Sequence, residues 1–80
     1  MKIKVLFFGI LKDLIGKNSL ELNVDTGISI SNLKEILLNN YEKLNAYSNF
    51  AIAVNEAYID NDYILNVNDE VALIPPVSGG

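Results

Sequence analysis

Apolar and polar residues alternate with a period of two near both ends of the chain, and a helical period lies between them. Ile3, Val5 and Phe7 alternate with Lys2, Lys4, Leu6 and Phe8, which predicts a strand over Lys2 to Phe8. The two lysines mark the second set as the face turned to water. Ile10, Leu11, Leu14 and Ile15 then fall at helical spacing, and Gly16 suits a helix C-terminal cap. Leu20, Leu22 and Val24 alternate with Glu21 and Asn23, a second strand returning antiparallel to the first. After the loop Asp25-Thr26-Gly27, Ser29 is placed to cap the main helix by accepting from a backbone N–H two or three residues on. Ile30, Leu33, Ile36 and Leu37 form one stripe, with Lys34, Glu35 and Asn39 opposite; Tyr41 and Leu44 extend it past Asn39-Asn40. An amphipathic helix laid on a sheet explains this stripe without any functional content.

Residues 45–49 read as a polar connection. Phe50, Ile52 and Val54 alternate with Ala51, Ala53 and Asn55 in a third strand, and Glu56-Ala57 turns the chain into a short fourth strand around Tyr58-Ile59. Turn clusters at Asp60-Asn61-Asp62 and Asn66-Val67-Asn68-Asp69 enclose Tyr63, Ile64 and Leu65. Glu70 to Ile74 forms the last strand. This order predicts an α+β fold of the β-grasp type, a mixed sheet of four to five strands with one main helix across one face. The first and last strands are expected side by side and parallel, which the long crossover permits. Residues 1–76 then make one domain and residues 77–80 a flexible tail. Ubiquitin has this architecture, but so do proteins of unrelated function, so the fold alone assigns no role.

Composition narrows the chemistry. Half of the 80 residues are hydrophobic and a fifth charged, enough for one small core. A net charge of −4 leaves no basic stripe for nucleic acid. The chain has no Cys, His or Arg, which excludes disulfides, a Cys/His zinc site and Ser-His or Cys-His dyads. No apolar run reaches membrane-spanning length and the first residues lack a signal-peptide layout, so a cytoplasmic location is expected and no membrane partner. Asp60/Asp62 and Asp69/Glu70 lie in turn-rich stretches without a convergent partner and read as solvated surface.

The strand from Glu70 to Ile74 runs into Pro75-Pro76-Val77-Ser78-Gly79-Gly80. Two prolines supply no backbone N–H, so sheet pairing ends there. Gly79-Gly80, lacking Cβ atoms, can thread a slot too narrow for other residues and leave the Gly80 carboxyl carbon open to attack. An α-carboxylate is ionised at neutral pH and a poor electrophile. Activation as an acyl-adenylate by a separate ATP-using enzyme would cure that, with this chain as the substrate. On the outward face, Leu6 and Phe8 share a side with Lys2 and Lys4, and Ala72 and Ile74 share a side with Glu70. Tyr58, near the sheet edge, completes an apolar patch beside the tail, a candidate docking surface. The plainer alternative is that single exposed apolar residues are common.

Val71-Ala72-Leu73-Ile74-Pro75-Pro76-Val77-Ser78-Gly79-Gly80, with Lys4-Val5-Leu6-Phe7-Phe8 near the start, resembles the small subunit of molybdopterin synthase, a family of ubiquitin-like sulfur carriers. The resemblance runs over the whole chain element by element, and its specificity lies in the tail. It implies that Gly80 is adenylated by an ATP-dependent partner, converted to a thiocarboxylate and used as sulfur donor, with Gly79 giving clearance. The acceptor would be a cyclic pterin phosphate precursor held by the larger synthase subunit. Leu6, Phe8, Tyr58, Ala72, Ile74, Pro75, Pro76, Val77 and Ser78 would meet that partner, and two copies of each subunit would make a heterotetramer. The chain itself would bind no cofactor or metal and would not be catalytic alone; ATP belongs to the activating enzyme. Lys12-Asp13 stands where the family usually carries Arg-Glu. Asn68 stands where it commonly has Gly, and Asn tolerates the left-handed turn. Three alternatives stay open: a sulfur carrier for another pathway such as thiamine biosynthesis, a ubiquitin-like protein modifier conjugated through Gly80, and an interaction module with an incidental tail. Phe7-Phe8 and Pro-Pro-Val-Ser favour the synthase.

Overall fold

Strand β1 (Lys2–Phe7) separates two environments: Ile3, Val5 and Phe7 are buried, Lys2 and Lys4 exposed. This computed structural model describes residues 1–47 and 49–76. β1 ends one residue sooner than the alternation predicts. Phe8 keeps an extended backbone (φ −124°, ψ 156°) but is the N-cap of helix α1 (Gly9–Ile15), which closes on a left-handed Gly16 donating to the Lys12 carbonyl at 2.8 Å. β2 (Ser19–Asn23) returns antiparallel to β1 and sets Leu22 opposite Ile3 and Leu20 opposite Val5.

Helix α2 (Ile30–Asn40) starts as its sequence dictates. Ser29 is extended, and its hydroxyl oxygen accepts from the Asn32 backbone N–H at 3.2 Å. Ile30, Leu33 and Leu37 are buried, in one core with Ile3, Val5, Phe7, Val71 and Leu73, so the helix covers one face of the sheet. The stripe does not continue as α-helix. Beyond Tyr41 the chain tightens into a 3₁₀ helix (Glu42–Tyr47), which buries Leu44 where the polar connection was expected to begin just after it.

The remaining strands are β3 (Ala51–Val54), β4 (Ala57–Tyr58) and β5 (Glu70–Ile74). The sheet order is β2-β1-β5-β3-β4, with β1 and β5 parallel and the other neighbours antiparallel. The arrangement is a β-grasp. The β3–β4 turn falls on Asn55-Glu56, one residue before the expected Glu56-Ala57, and both central residues have positive φ (51° and 73°). That is the backbone a two-residue hairpin demands and Asn adopts readily. Asn68 also takes its expected left-handed conformation, φ 70°.

One sequence expectation is overturned. Asp69 is not solvated: it is 7% exposed, and its carboxylate accepts from Asn55 Nδ2 (2.9 Å), the Tyr63 hydroxyl (3.2 Å) and the Asn66 backbone N–H (2.8 Å). Asn55 Oδ1 in turn accepts from the Glu70 backbone N–H at 3.0 Å. A buried carboxylate is tolerated only when its oxygens are satisfied, and here they knit the β3–β4 turn to the entry of β5. Asp60, Asp62 and Glu70 are exposed as expected.

Candidate functional site

Strand register builds the outward face. Ser19 lies opposite Leu6, Leu6 opposite Ala72, Ala72 opposite Ala53 and Ala53 opposite Tyr58, one continuous row across all five strands. Cross-strand partners point to the same side of a sheet, so Leu6, Ala72, Ala53 and Tyr58 share the face opposite α2. Leu6 and Ala72 are half-buried and Ala53 is buried, small and central, while Tyr58 at the edge is 71% exposed. One row nearer the tail, Ile74 pairs with Ala51. Phe8, whose extended backbone carries the alternation one residue past β1, is 48% exposed.

A charged row bounds the apolar one on the side away from the tail. Lys4 sits between Glu21 and Glu70, each its direct cross-strand partner. Lys2 Nζ approaches Glu21 Oε2 at 3.9 Å, with both side chains about two-thirds exposed, and such a pair contributes little to stability. Lys2, Lys4, Ser19, Glu21, Asp69 and Glu70 line an open depression of about 660 Å³, in which Lys4 faces Glu21 and Glu70 across the strands and the Asp69 carboxylate is held by Asn55, Tyr63 and Asn66. Among the described residues, no group of Asp and Glu side chains is placed to hold a metal ion, and no helix is long and apolar enough to cross a membrane.

Pro75 and Pro76, both half-buried, follow Ile74 at the end of β5. Pro75 rests against Gly9: a Cβ built there would lie 3.0 Å from Pro75 Cγ, and Gly9 has φ +56°. Both observations call for glycine, and together they fix where the chain departs the sheet. Sequence reading missed Gly9; its only signal was a glycine inside the apolar run Phe7-Phe8-Gly9-Ile10. It also left Ala53 out of the patch, although register puts Ala53 at the centre of the outward row, 5% exposed. Val77, Ser78, Gly79 and Gly80 lie outside the described residues.

With this geometry in place, comparison with known proteins is specific. The ThiS family profile matches residues 5–80. The chain belongs to the ThiS family. Among curated relatives, the molybdopterin synthase sulfur carrier subunit of Dictyostelium discoideum is 40% identical, over 99% of this chain and 96% of that protein. A Pyrococcus furiosus protein described as a molybdopterin converting factor subunit 1 superposes with a TM-score of 0.86 at 29% identity, over 96% of this chain and 99% of the other. A chain from the complex of subunits 1 and 2 of the Helicobacter pylori molybdopterin-converting factor superposes with a TM-score of 0.74 at 32% identity, with full coverage of both chains. These matches agree with the resemblance read from Lys4–Phe8 and Val71–Gly80 and with the expected fold.

Proposed function

We propose that this ThiS-family chain is the sulfur carrier subunit of a molybdopterin synthase. One observation carries the reading: the strand that delivers the tail, β5, is also the strand whose outward residues, Ala72 and Ile74, join Leu6 and Tyr58 in the apolar face. A partner docked on that face lies next to the strand that leads into the tail. The names of the relatives supply the chemistry that fits such a device.

In this reading the Gly80 carboxylate attacks the α-phosphorus of ATP on an activating enzyme, and pyrophosphate leaves. Sulfur at the sulfide level then attacks the acyl carbon and displaces AMP, giving a thiocarboxylate; its sulfur passes to a cyclic pterin precursor held by the large subunit, and water restores the Gly80 carboxylate. Gly79 and Gly80 give the slimmest possible approach. Leu6, Phe8, Tyr58, Ala72 and Ile74, with Pro75, Pro76, Val77 and Ser78, meet the partner, and a heterotetramer with two large subunits follows from the family. ATP is used by the activating partner, and the chain works in the cytoplasm. Its rivals are a carrier for thiamine biosynthesis and a protein modifier.

The test is the intact mass of the protein purified from its own cells, before and after incubation with the large subunit and precursor. A fraction heavier by the exchange of one oxygen for sulfur, lost on incubation as molybdopterin forms, is the expected result. A ladder of conjugates to other proteins, with no such fraction, would instead mark a modifier. A sulfur-loaded fraction that the large subunit leaves untouched would mark a carrier for another pathway.

A further inference from the structure

Charge is divided unevenly along the chain. All six lysines fall at or before Lys43, whereas residues 44–80 hold Glu56, Asp60, Asp62, Asp69 and Glu70 and no cation. The fold gathers part of this excess at one place. Asp69 is consumed inside the domain by its three donors. Glu70 faces Lys4 across the sheet. Glu56, in the turn before β4, and Asp60 and Asp62, just after it, remain exposed and unmatched by any ion pair among the described residues. They flank Tyr58, and Tyr58, Asp60 and Asp62 line a single shallow depression. Tyr58 is at the same time the outer end of the apolar row that runs through Ala53 and Ala72 to Leu6.

We propose that the β4 edge of the docking face is met by an arginine-bearing strip of the partner protein, continuous with the apolar surface that covers Leu6 and Ala72. The inference rests on the carrier reading and adds the partner's chemistry to it. The guanidinium group suits this edge better than an ammonium: it stacks on an aromatic ring and pairs with a carboxylate through two parallel hydrogen bonds. An exposed tyrosine between carboxylates offers both in one place. Three uncompensated carboxylates at the rim of an interface act chiefly on the rate of encounter, because attraction over a screening length precedes contact. The apolar row holds the complex once formed.

Association with the purified large synthase subunit, followed by stopped flow from low to high NaCl, tests this. The proteins compared are the parent, the triple variant Glu56→Gln/Asp60→Asn/Asp62→Asn, and Tyr58→Leu, each first shown to melt as a folded domain. The parent's on-rate should fall steeply with salt, and the triple variant should associate about tenfold more slowly at low salt with a flattened dependence. Tyr58→Leu should leave the on-rate alone and raise the off-rate between about three- and thirtyfold. A parent that binds at a salt-independent rate, or a triple variant as fast as the parent, overturns the charged edge while leaving the carrier reading intact. An unchanged off-rate for Tyr58→Leu overturns the stacking. A parent that does not bind the large subunit at all overturns the carrier reading and this inference with it.

Discussion

Asn55 and Asp69, fourteen residues apart, are joined by a 2.9 Å hydrogen bond from Asn55 Nδ2 to Asp69 Oδ1, and the same Asn55 accepts from the Glu70 backbone through its other side-chain atom. The pair fastens the β3–β4 hairpin, which carries Tyr58, to the first residue of the strand that leads to the tail. The carboxylate has two further donors, Tyr63 and Asn66. Asp69→Ala strands three donors in a site 7% exposed and should cost about 3 kcal/mol. For a domain of this size that lowers Tm by roughly 10 °C or more. Asp69→Asn keeps one acceptor oxygen and should lose less. Melting curves that superimpose for all three proteins would show that the network does not stabilise the fold.

Gly80 lies beyond β5, which ends at Ile74. Its removal, or the addition of one residue after it, should abolish sulfur transfer and leave the melting temperature within about 1 °C of the parent, since residues outside the core contribute almost nothing to stability. The two measurements are a molybdopterin-forming assay and a thermal melt. Continued sulfur transfer by the truncated chain would remove Gly80 from the chemistry.

Gly79 tests clearance. Ala adds a methyl group, and Val adds a branched side chain next to the reacting carboxyl carbon. Sulfur transfer should fall in the order Gly, Ala, Val while the melt stays constant. A Gly79→Val protein as active as the parent would mean that no narrow slot receives the tail.

The fold was legible because local and global patterns agree. Period-two alternation in Lys2–Phe8 and Glu70–Ile74 named the inward residues, and all of Ile3, Val5, Phe7, Val71 and Leu73 are buried. Ser29 announced the helix start by its own chemistry. What escaped reading depended on partners distant in sequence. Asp69 looks like any turn aspartate until Asn55 and Tyr63 are folded against it. Gly9 looks incidental until Pro75, 66 residues later, is laid over it. Leu44 looked like the end of a helical stripe, yet it enters the core through a 3₁₀ turn that periodicity of 3.6 does not describe. Of the outward face, alternation supplied Leu6, Phe8, Ala72 and Ile74, and Tyr58 was placed beside them from its position near the sheet edge; only strand register adds Ala53 and sets Tyr58 in its row.

The two faces of the sheet give the sharpest test of the proposed docking role. Val5 and Leu73 are 0% exposed and lie beneath α2, so Val5→Glu or Leu73→Glu buries a charge with no partner. That costs several kcal/mol, comparable to the roughly 4–12 kcal/mol total expected for 80 residues, and both variants should be unfolded. Phe8 is 48% exposed on the other face, and Phe8→Glu should change stability by less than about 1 kcal/mol. Ile74 is half-buried and should lose somewhat more, yet remain folded. Against the large subunit the order reverses: a carboxylate pressed into an apolar partner surface without a counter-charge should weaken binding by roughly 3–5 kcal/mol, a hundredfold or more in Kd. Circular dichroism melts and titration calorimetry on the four variants separate these outcomes. Unfolding of Phe8→Glu would mean the face assignment is inverted, and tight binding by a folded Phe8→Glu and Ile74→Glu would place the partner elsewhere on the domain.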